Sequence, residues 1–259
     1  MKLGFIGTGT IAAAIVKGLQ ASPAKCPVFL SPRNVEIARR LAERYANAQI
    51  AATNQAVLDA SDTVILAVRP QIAHEVLTSL RFRPDHHVVS LIAAVSLKYL
   101  QSVTAPASIV TRAVPLPAVA YRQAPTAMYP PNPTIKALFD ELGIVIELES
   151  EAEFDAFTTA TSIMSTYFGF ADTTASWMEH QGVAPQKAHA FVGQMLRGLA
   201  AATTVAPDRT FAQMVEDHQT PGGLNEQVFR ALLPDGRLVE LDRALDGVLA
   251  RLIAGKLKG

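Results

Sequence analysis

Several things are scarce in this chain, and each shortage removes a class of protein. Cys26 is the only cysteine in 259 residues. A single thiol closes no internal disulfide and builds no cysteine-rich zinc site, so a reducing, cytoplasmic setting is expected. Excess charge is missing as well: 23 Lys+Arg balance 23 Asp+Glu. A surface that binds nucleic acid or an anionic membrane is basic, so neither partner is expected. The histidines at 74, 86, 87, 180, 189 and 218 show no metal-ligand spacing, and no metal is expected. A convincing membrane run is also lacking. The least charged stretch, Phe157 to Trp177, carries only Asp172 as a charge but is rich in Thr and Ser, so it reads as a buried helix. The chain opens on what reads as a core strand, so no secretory signal is expected. With 49% hydrophobic and 18% charged residues, the composition is that of a well-packed globular protein.

What is present is organised around the first dozen residues. Leu3-Gly4-Phe5-Ile6 reads as a short buried strand. The turn Gly7-Thr8-Gly9 follows, and Thr10-Ile11-Ala12 opens an apolar helix. Strand, glycine turn and helix form the start of a dinucleotide-binding βαβ unit. Gly7 permits the tight turn, Gly9 has no Cβ to block a pyrophosphate, and Ala12 lets helix and strand pack closely. The helix N-terminus adds unpaired N–H groups and a positive dipole end. A second strand, Pro27 to Leu30, ends in Ser31-Pro32-Arg33-Asn34. An acidic residue here would bind the ribose 2′-hydroxyl of NAD. None is present. Ser31 can hydrogen-bond a 2′-phosphate and Arg33 can pair with it, while Asn34 can assist or cap the next helix, so the expected cofactor is NADP(H).

Further strands are expected over Gln49 to Ala51, Thr63 to Val68, His87 to Ile92, Ser108 to Arg112 and Ile144 to Leu148. Beyond Glu149 no strand-like run remains. Glu151 to His180, Pro185 to Val205, Phe211 to Val215, Leu224 to Leu232 and Leu238 to Leu257 all read as helices. The fold class is therefore α/β. A Rossmann dinucleotide-binding domain is expected over residues 1–150 and an all-helical domain over 151–259.

The chain resembles the pyrroline-5-carboxylate reductases over nearly its full length. The matching stretches include Gly4 to Gly9, Ala67-Val68-Arg69-Pro70-Gln71, Ser90 to Leu97, Arg112-Ala113-Val114-Pro115, Phe154-Asp155-Ala156 and Thr220-Pro221-Gly222-Gly223. Those enzymes use NAD(P)H to reduce a cyclic imine to proline, a step of proline biosynthesis. The resemblance implies that Asn54, Val68, Arg69, Pro70 and Ala93 line the cofactor. It also implies a homodimer or higher homo-oligomer with the helical half as its dimerisation domain. Pro221, Gly222, Gly223, Leu224 and Asn225 would then meet an imine or imino-acid substrate.

The substrate half departs from the family. Val95 replaces a glycine, Leu116 stands where an amide is usual, and Leu224-Asn225 replace two threonines of the Gly-Gly loop. Asn225 is the candidate for orienting the substrate nitrogen, with His218, Tyr167 or water as possible proton sources. Two other classes share the plan. A β-hydroxyacid dehydrogenase would need a catalytic lysine with asparagine four residues on, and Lys187 is followed at that distance by Phe191. A non-catalytic NADP-binding regulator would keep the fold and lose the substrate site.

Overall fold

The computed structural model describes residues 1–22, 25–236 and 238–256. Strand β1 (Leu3–Ile6) is buried at all four positions, and so is β4 (Thr63–Leu66). Strands covered on both faces need no polar alternation, which is why they read as unbroken apolar runs. Between them lie α1 (Thr10–Gln20), β2 (Val28–Leu30), α2 (Val35–Arg44), β3 (Ala48–Ile50) and α3 (Asn54–Ala60). After β4 come α4 (Pro70–Thr78), β5 (His87–Ser90), α5 (Leu97–Val103), β6 (Ile109–Pro115), β7 (Ala124–Tyr129), α6 (Pro133–Asp140), β8 (Gly143–Glu147) and α7 (Glu151–Ala160). Helix starts follow local chemistry: Asn34, Thr53, Ser96, Asn132 and Ser150 each accept a backbone N–H from the first turn they precede.

The strands form one sheet in the order β3-β2-β1-β4-β5-β6-β7-β8. All neighbours run parallel except β6 and β7. One face is packed by Ile15 and Leu19 of α1, Ala38 and Leu41 of α2, and Ile135 and Phe139 of α6. Val57 and Leu58 of α3, Ala73 and Leu77 of α4, and Leu100 of α5 pack in a second apolar cluster. The chain runs outward through β1, β2 and β3, then returns to place β4 on the other side of β1. A crevice forms outside the carboxyl ends of strands at such a reversal, and it is where ligands bind in open α/β sheets.

Strand β7 was not expected from the sequence. Ala124-Pro125-Thr126-Ala127-Met128-Tyr129 has a proline and no β-branched run, two signals against a central strand. The proline is tolerated because β6 pairs with β7 only over Thr126 to Tyr129, leaving Pro125 outside that ladder. The expected helix over Glu151 to His180 is interrupted by a tight turn at Thr161–Ile163, and α8 (Met164–His180) starts after it. Three hydroxyls account for the break. Thr158 donates to the carbonyl of Phe154, Thr159 to that of Asp155 and Thr161 to that of Thr158, drawing carbonyls away from the straight helical ladder.

The remaining helices are α9 (Pro185–Val205), α10 (Phe211–Asp217), α11 (Leu224–Leu232) and α12 (Val239–Ala254); Leu257, expected to end the last one, lies outside the described residues. The chain divides into two compact units. The first is Met1–Thr161 with the C-terminal stretch from Val248, and the second is Ser162–Gly247. Helix α7, which begins at the boundary expected near residue 150, stays with the sheet. Within the second unit only Ala188 and Val192 are buried apolar residues among those described. The helix expected to be buried, α8, has no buried residue in the single chain, and Phe168, Phe170 and Trp177 all stand exposed.

The amino ends of β4 and β5 are closed by a neutral imidazole. His86 is fully buried; its Nδ1 accepts the N–H of Arg83 at 3.0 Å, and Nε2 faces the carbonyl of Leu58 at 3.1 Å. Burial, reinforced by the nearby Arg83 charge, pushes the His86 pKa below its ordinary value. The neutral form is thus favoured by folding. Its contribution is complete above the ordinary value of 6.5 and is lost as pH falls through the lowered folded-state value. The thermal midpoint should fall between about pH 7.5 and about pH 5, and His86→Gln should flatten that slope. An unchanged slope in a calorimetric comparison would remove His86 as the cause.

Candidate active site

The turn after β1 is shaped by two glycines for different reasons. Gly7 has φ +100°, and a Cβ there would lie 2.5 Å from the carbonyl oxygen of Ala67, at the exit of β4. The backbone needs both its freedom and its smallness. Gly9 is the reverse case: among the described residues, no atom beyond its own chain neighbours lies within 4 Å of where its Cβ would be. The protein leaves that space open, a cradle that a side chain would fill. Gly9 is also the N-cap of α1, makes no side-chain cap, and is followed by a first turn without an acidic residue. The first intrahelical bond runs from Ala13 N–H to Gly9 at 3.0 Å, so the N–H groups of Thr10, Ile11 and Ala12 have no partner within the helix. Three outward N–H groups, a positive dipole end and an open approach suit a pyrophosphate.

The turn is braced by buried hydroxyls. Gly7 N–H donates to Ser31 Oγ at 3.0 Å, Thr8 Oγ1 donates to the Ser31 carbonyl at 2.9 Å, and the two hydroxyl oxygens are 3.0 Å apart. Thr8 is 2% exposed and Ser31 is 1% exposed. The Ser31 hydroxyl, expected to meet a 2′-phosphate, here faces the glycine turn. Asn34 caps α2 by accepting the N–H of Ile37 at 3.3 Å. Arg33 stands exposed and forms no ion pair among the described residues.

The other expected cofactor residues follow the carboxyl ends of neighbouring strands. Asn54 is the first residue of α3, half-buried behind the Thr53 cap. Val68 leaves β4, exposed Arg69 is the N-cap of α4, and Pro70 is its first residue. Ala93 is exposed beyond β5. Next to it Ala94 takes φ +55°, whereas Val95 is fully buried among the residues that pack β4 and β5. The left-handed conformation therefore falls on Ala94, and Val95 serves as a core residue.

A buried charge cluster supports this edge, and only weak sequence signals point to it. Arg112 on β6 is 0% exposed. Its Nη1 donates to Glu151 Oε1 at 2.8 Å and lies 3.7 Å from Asp155 Oδ1, while its guanidinium sits 4.1 Å over the Phe154 ring. Lys256 Nζ reaches Asp155 Oδ2 at 2.5 Å. Glu151 Oε1 also accepts the N–H of Leu97 at 2.9 Å, fixing the start of α5 just past Ala93 to Val95. Burial lowers the Arg112 pKa, and Glu151 with Asp155 pulls it back up. The available signals were a lone arginine in an apolar strand and two acids four residues apart.

In the second unit, Pro221, Gly222 and Gly223 form the loop before α11, with Gly222 at φ +73° and Gly223 as N-cap. Part of its donor capacity is already used. Gly222 N–H donates to Glu226 Oε2 at 2.5 Å, and Gly223 N–H to the Thr220 carbonyl at 2.7 Å. Asn225 Nδ2 donates to the His218 carbonyl at 3.0 Å, and His218 Nδ1 lies 2.7 Å from the Met214 carbonyl. Leu224 is 82% exposed. Tyr167 is exposed on α8 against the edge of Phe168. No helix among the described residues is long and apolar enough to cross a membrane.

Comparison with known proteins matches each half separately. Residues 2–94 fit the family described as NADP oxidoreductase coenzyme F420-dependent, and residues 151–252 fit pyrroline-5-carboxylate reductase dimerisation. The chain is similar to the pyrroline-5-carboxylate reductase of Pseudomonas aeruginosa, at 26% identity over 96% of this chain and 95% of that one. It is similar to the solved 1-pyrroline-5-carboxylate reductase of Streptococcus pyogenes, at 25% identity and a TM-score of 0.84, covering 98% of each chain. The Plasmodium falciparum pyrroline carboxylate reductase, solved with NADP bound, shares the fold at 17% identity and a TM-score of 0.84, over 99% of this chain and 98% of that one.

The two glycines should separate in experiment. Gly7→Ala should cost about 2–4 kcal/mol of stability, through contact with Ala67 and an unfavourable φ. Gly9→Ala should leave the thermal midpoint near that of the unmodified protein but weaken dinucleotide binding at least about tenfold, roughly 1.4 kcal/mol. Thermal unfolding and fluorescence titration with NADPH would measure both. Full binding by Gly9→Ala would rule out a pyrophosphate in that space.

Proposed function

The chain belongs to the pyrroline-5-carboxylate reductase family, and from that premise we propose that it is an NADP(H)-dependent oxidoreductase that reduces the C=N bond of an imine or imino acid. The observation that carries the cofactor half is the uncapped start of α1, with Gly9 opening onto unobstructed space. On this reading the N–H groups of Thr10, Ile11 and Ala12 hold the pyrophosphate. Exposed Arg33, with no acid beside it, meets the 2′-phosphate. Asn54, Val68, Arg69, Pro70 and Ala93 line the remainder.

NADPH held there would supply the hydride for the imine carbon, and the nitrogen would take its proton from water, His218 or Tyr167. The chain's task is to place that cofactor, keep water out and polarise the acceptor. The Glu151 bridge between Arg112 and Leu97 supports the segment after β5 that leads to it. Asn225 is proposed to orient the substrate nitrogen once its amide leaves the His218 carbonyl. A homodimer is proposed through the helical unit. Supporting it are the dimerisation match over residues 151–252 and the exposed apolar residues of α8 and α9, among them Phe168, Trp177, Phe191 and Leu199.

Arg33→Ala should weaken NADPH binding by about 1–3 kcal/mol, the range for a charge-assisted bond, and barely affect NADH. Equal losses for the two cofactors would count against Arg33 as the 2′-phosphate ligand.

The substrate is proposed to be a bulkier or less polar imine than pyrroline-5-carboxylate. Two features of the loop before α11 support this: Leu224 and Asn225 in place of threonine hydroxyls, and the Glu226 carboxylate already seated on Gly222 N–H. An incoming carboxylate would meet fewer donors, because Gly222 N–H is already taken. Turnover of pyrroline-5-carboxylate should be weak. Leu224→Thr with Asn225→Thr should raise kcat/KM for it by about tenfold, roughly 1.4 kcal/mol. A typical enzymatic rate from the unmodified protein, followed as NADPH oxidation, would restore the plain family substrate.

A further inference from the structure

We infer that Ser31 and Thr8 form a positioning pair for the cofactor, with Ser31 acting through the glycine turn and never touching the 2′-phosphate. The inference rests on the dinucleotide reading above and adds a role for two residues within it.

The proton ledger of the cluster leads there. Three hydrogens and their acceptors close one consistent set. Gly7 N–H goes to Ser31 Oγ at 3.0 Å, and the Thr8 hydroxyl goes to the Ser31 carbonyl at 2.9 Å. The Ser31 hydroxyl then goes to Thr8 Oγ1 at 3.0 Å. A serine has one O–H to give. Here it is used on Thr8, so Ser31 has none left for a phosphate oxygen, which can only accept. Exposure agrees: Ser31 is 1% exposed and Thr8 is 2% exposed, whereas Arg33 two residues on is exposed.

The same bonds have a mechanical consequence. Ser31 follows β2 directly, with its own N–H donating to the Phe5 carbonyl on β1 at 3.0 Å. Gly7 and Thr8 begin the turn that leads into α1. The hydroxyl pair therefore joins the loop carrying Arg33 to the turn carrying Gly9. Gly7 cannot drift, because it is pinned by Ser31 on one side and by the Ala67 backbone on the other. Removing either hydroxyl should loosen the turn under the pyrophosphate, which NADPH and NADH share. A direct 2′-phosphate contact would be felt by NADPH alone.

The test is a set of dissociation constants for NADPH and NADH, taken by fluorescence titration at a temperature where circular dichroism shows every variant folded. Ser31→Ala and the near-isosteric Thr8→Val should each weaken both cofactors by about tenfold, as expected for one lost buried hydrogen-bond partner, and leave the NADPH/NADH ratio unchanged. The double variant should be little worse than either single one, because the pair acts as a unit. Thr8→Ser, which keeps the hydroxyl, should restore binding. A loss confined to NADPH in Ser31→Ala would overturn the inference and make Ser31 a phosphate ligand. Lowered thermal midpoints with unchanged affinities would overturn it in favour of packing alone. If the unmodified protein bound neither cofactor, the dinucleotide reading would fail, and the inference with it.

Discussion

A fully buried guanidinium is the most demanding group in the sheet unit. Arg112 cannot lose its charge at any ordinary pH, and taking it from water costs several kcal/mol unless partners surround it. It sits on β6 with Glu151 and Asp155 of α7 drawn to one side and the face of Phe154 beneath it. Its Nε and Nη2 make no hydrogen bond among the described residues. Glu151 reaches across to the start of α5, and Lys256 completes the second carboxylate. Four stretches far apart in sequence must therefore meet at one place. That requirement explains why α7 stays with the sheet even though the helical half of the chain begins at its first residue.

The edge where chemistry is proposed is built from loops, each held by a rigid neighbour. The glycine turn leans on Ala67 and Ser31, and the segment after β5 is tied through Leu97 to Glu151. Hydride transfer asks for geometry more than for acids and bases. A scaffold of this kind meets that demand with backbone placement, so no dyad of strongly shifted carboxylates or imidazoles is needed on the cofactor side. Ala94 shows the same economy: the backbone holds an alanine in the left-handed region beside the site, at a cost of order 1–2 kcal/mol.

The parts legible in the sequence were those set by neighbouring residues. Leu3 to Ile6, Gly7, Gly9 and the helix after them are a local pattern, and the βα alternation up to β5 follows from periodicity and caps. For Ser31 the residue type suits a phosphate, but its contact with Thr8, 23 residues away in sequence, could not be read from the local pattern. β7 escaped notice because its strand state comes from pairing on both sides, not from its own residues. The turn at Thr161 was hidden by an unbroken helical pattern, and Arg112 looked like any arginine until Glu151 and Asp155 came to it. In the helical half, motif order was readable from resemblance, but Glu226 on Gly222 N–H was not, since that bond depends on the loop's shape.

Among its described residues the second unit has only Ala188 and Val192 as buried apolar residues, with large aromatic side chains standing out in water. Such a unit is unfinished as a single polypeptide, and the time between synthesis and assembly becomes its period of risk. Encounter with a second copy scales with concentration, and so does clumping through the same aromatic faces. A scarce chain would wait longer for its mate and depend more on chaperones. Refolding from denaturant would depend on how far the chains were diluted as well as on the solvent. With the proposed homodimer, abundance would itself become a condition of folding.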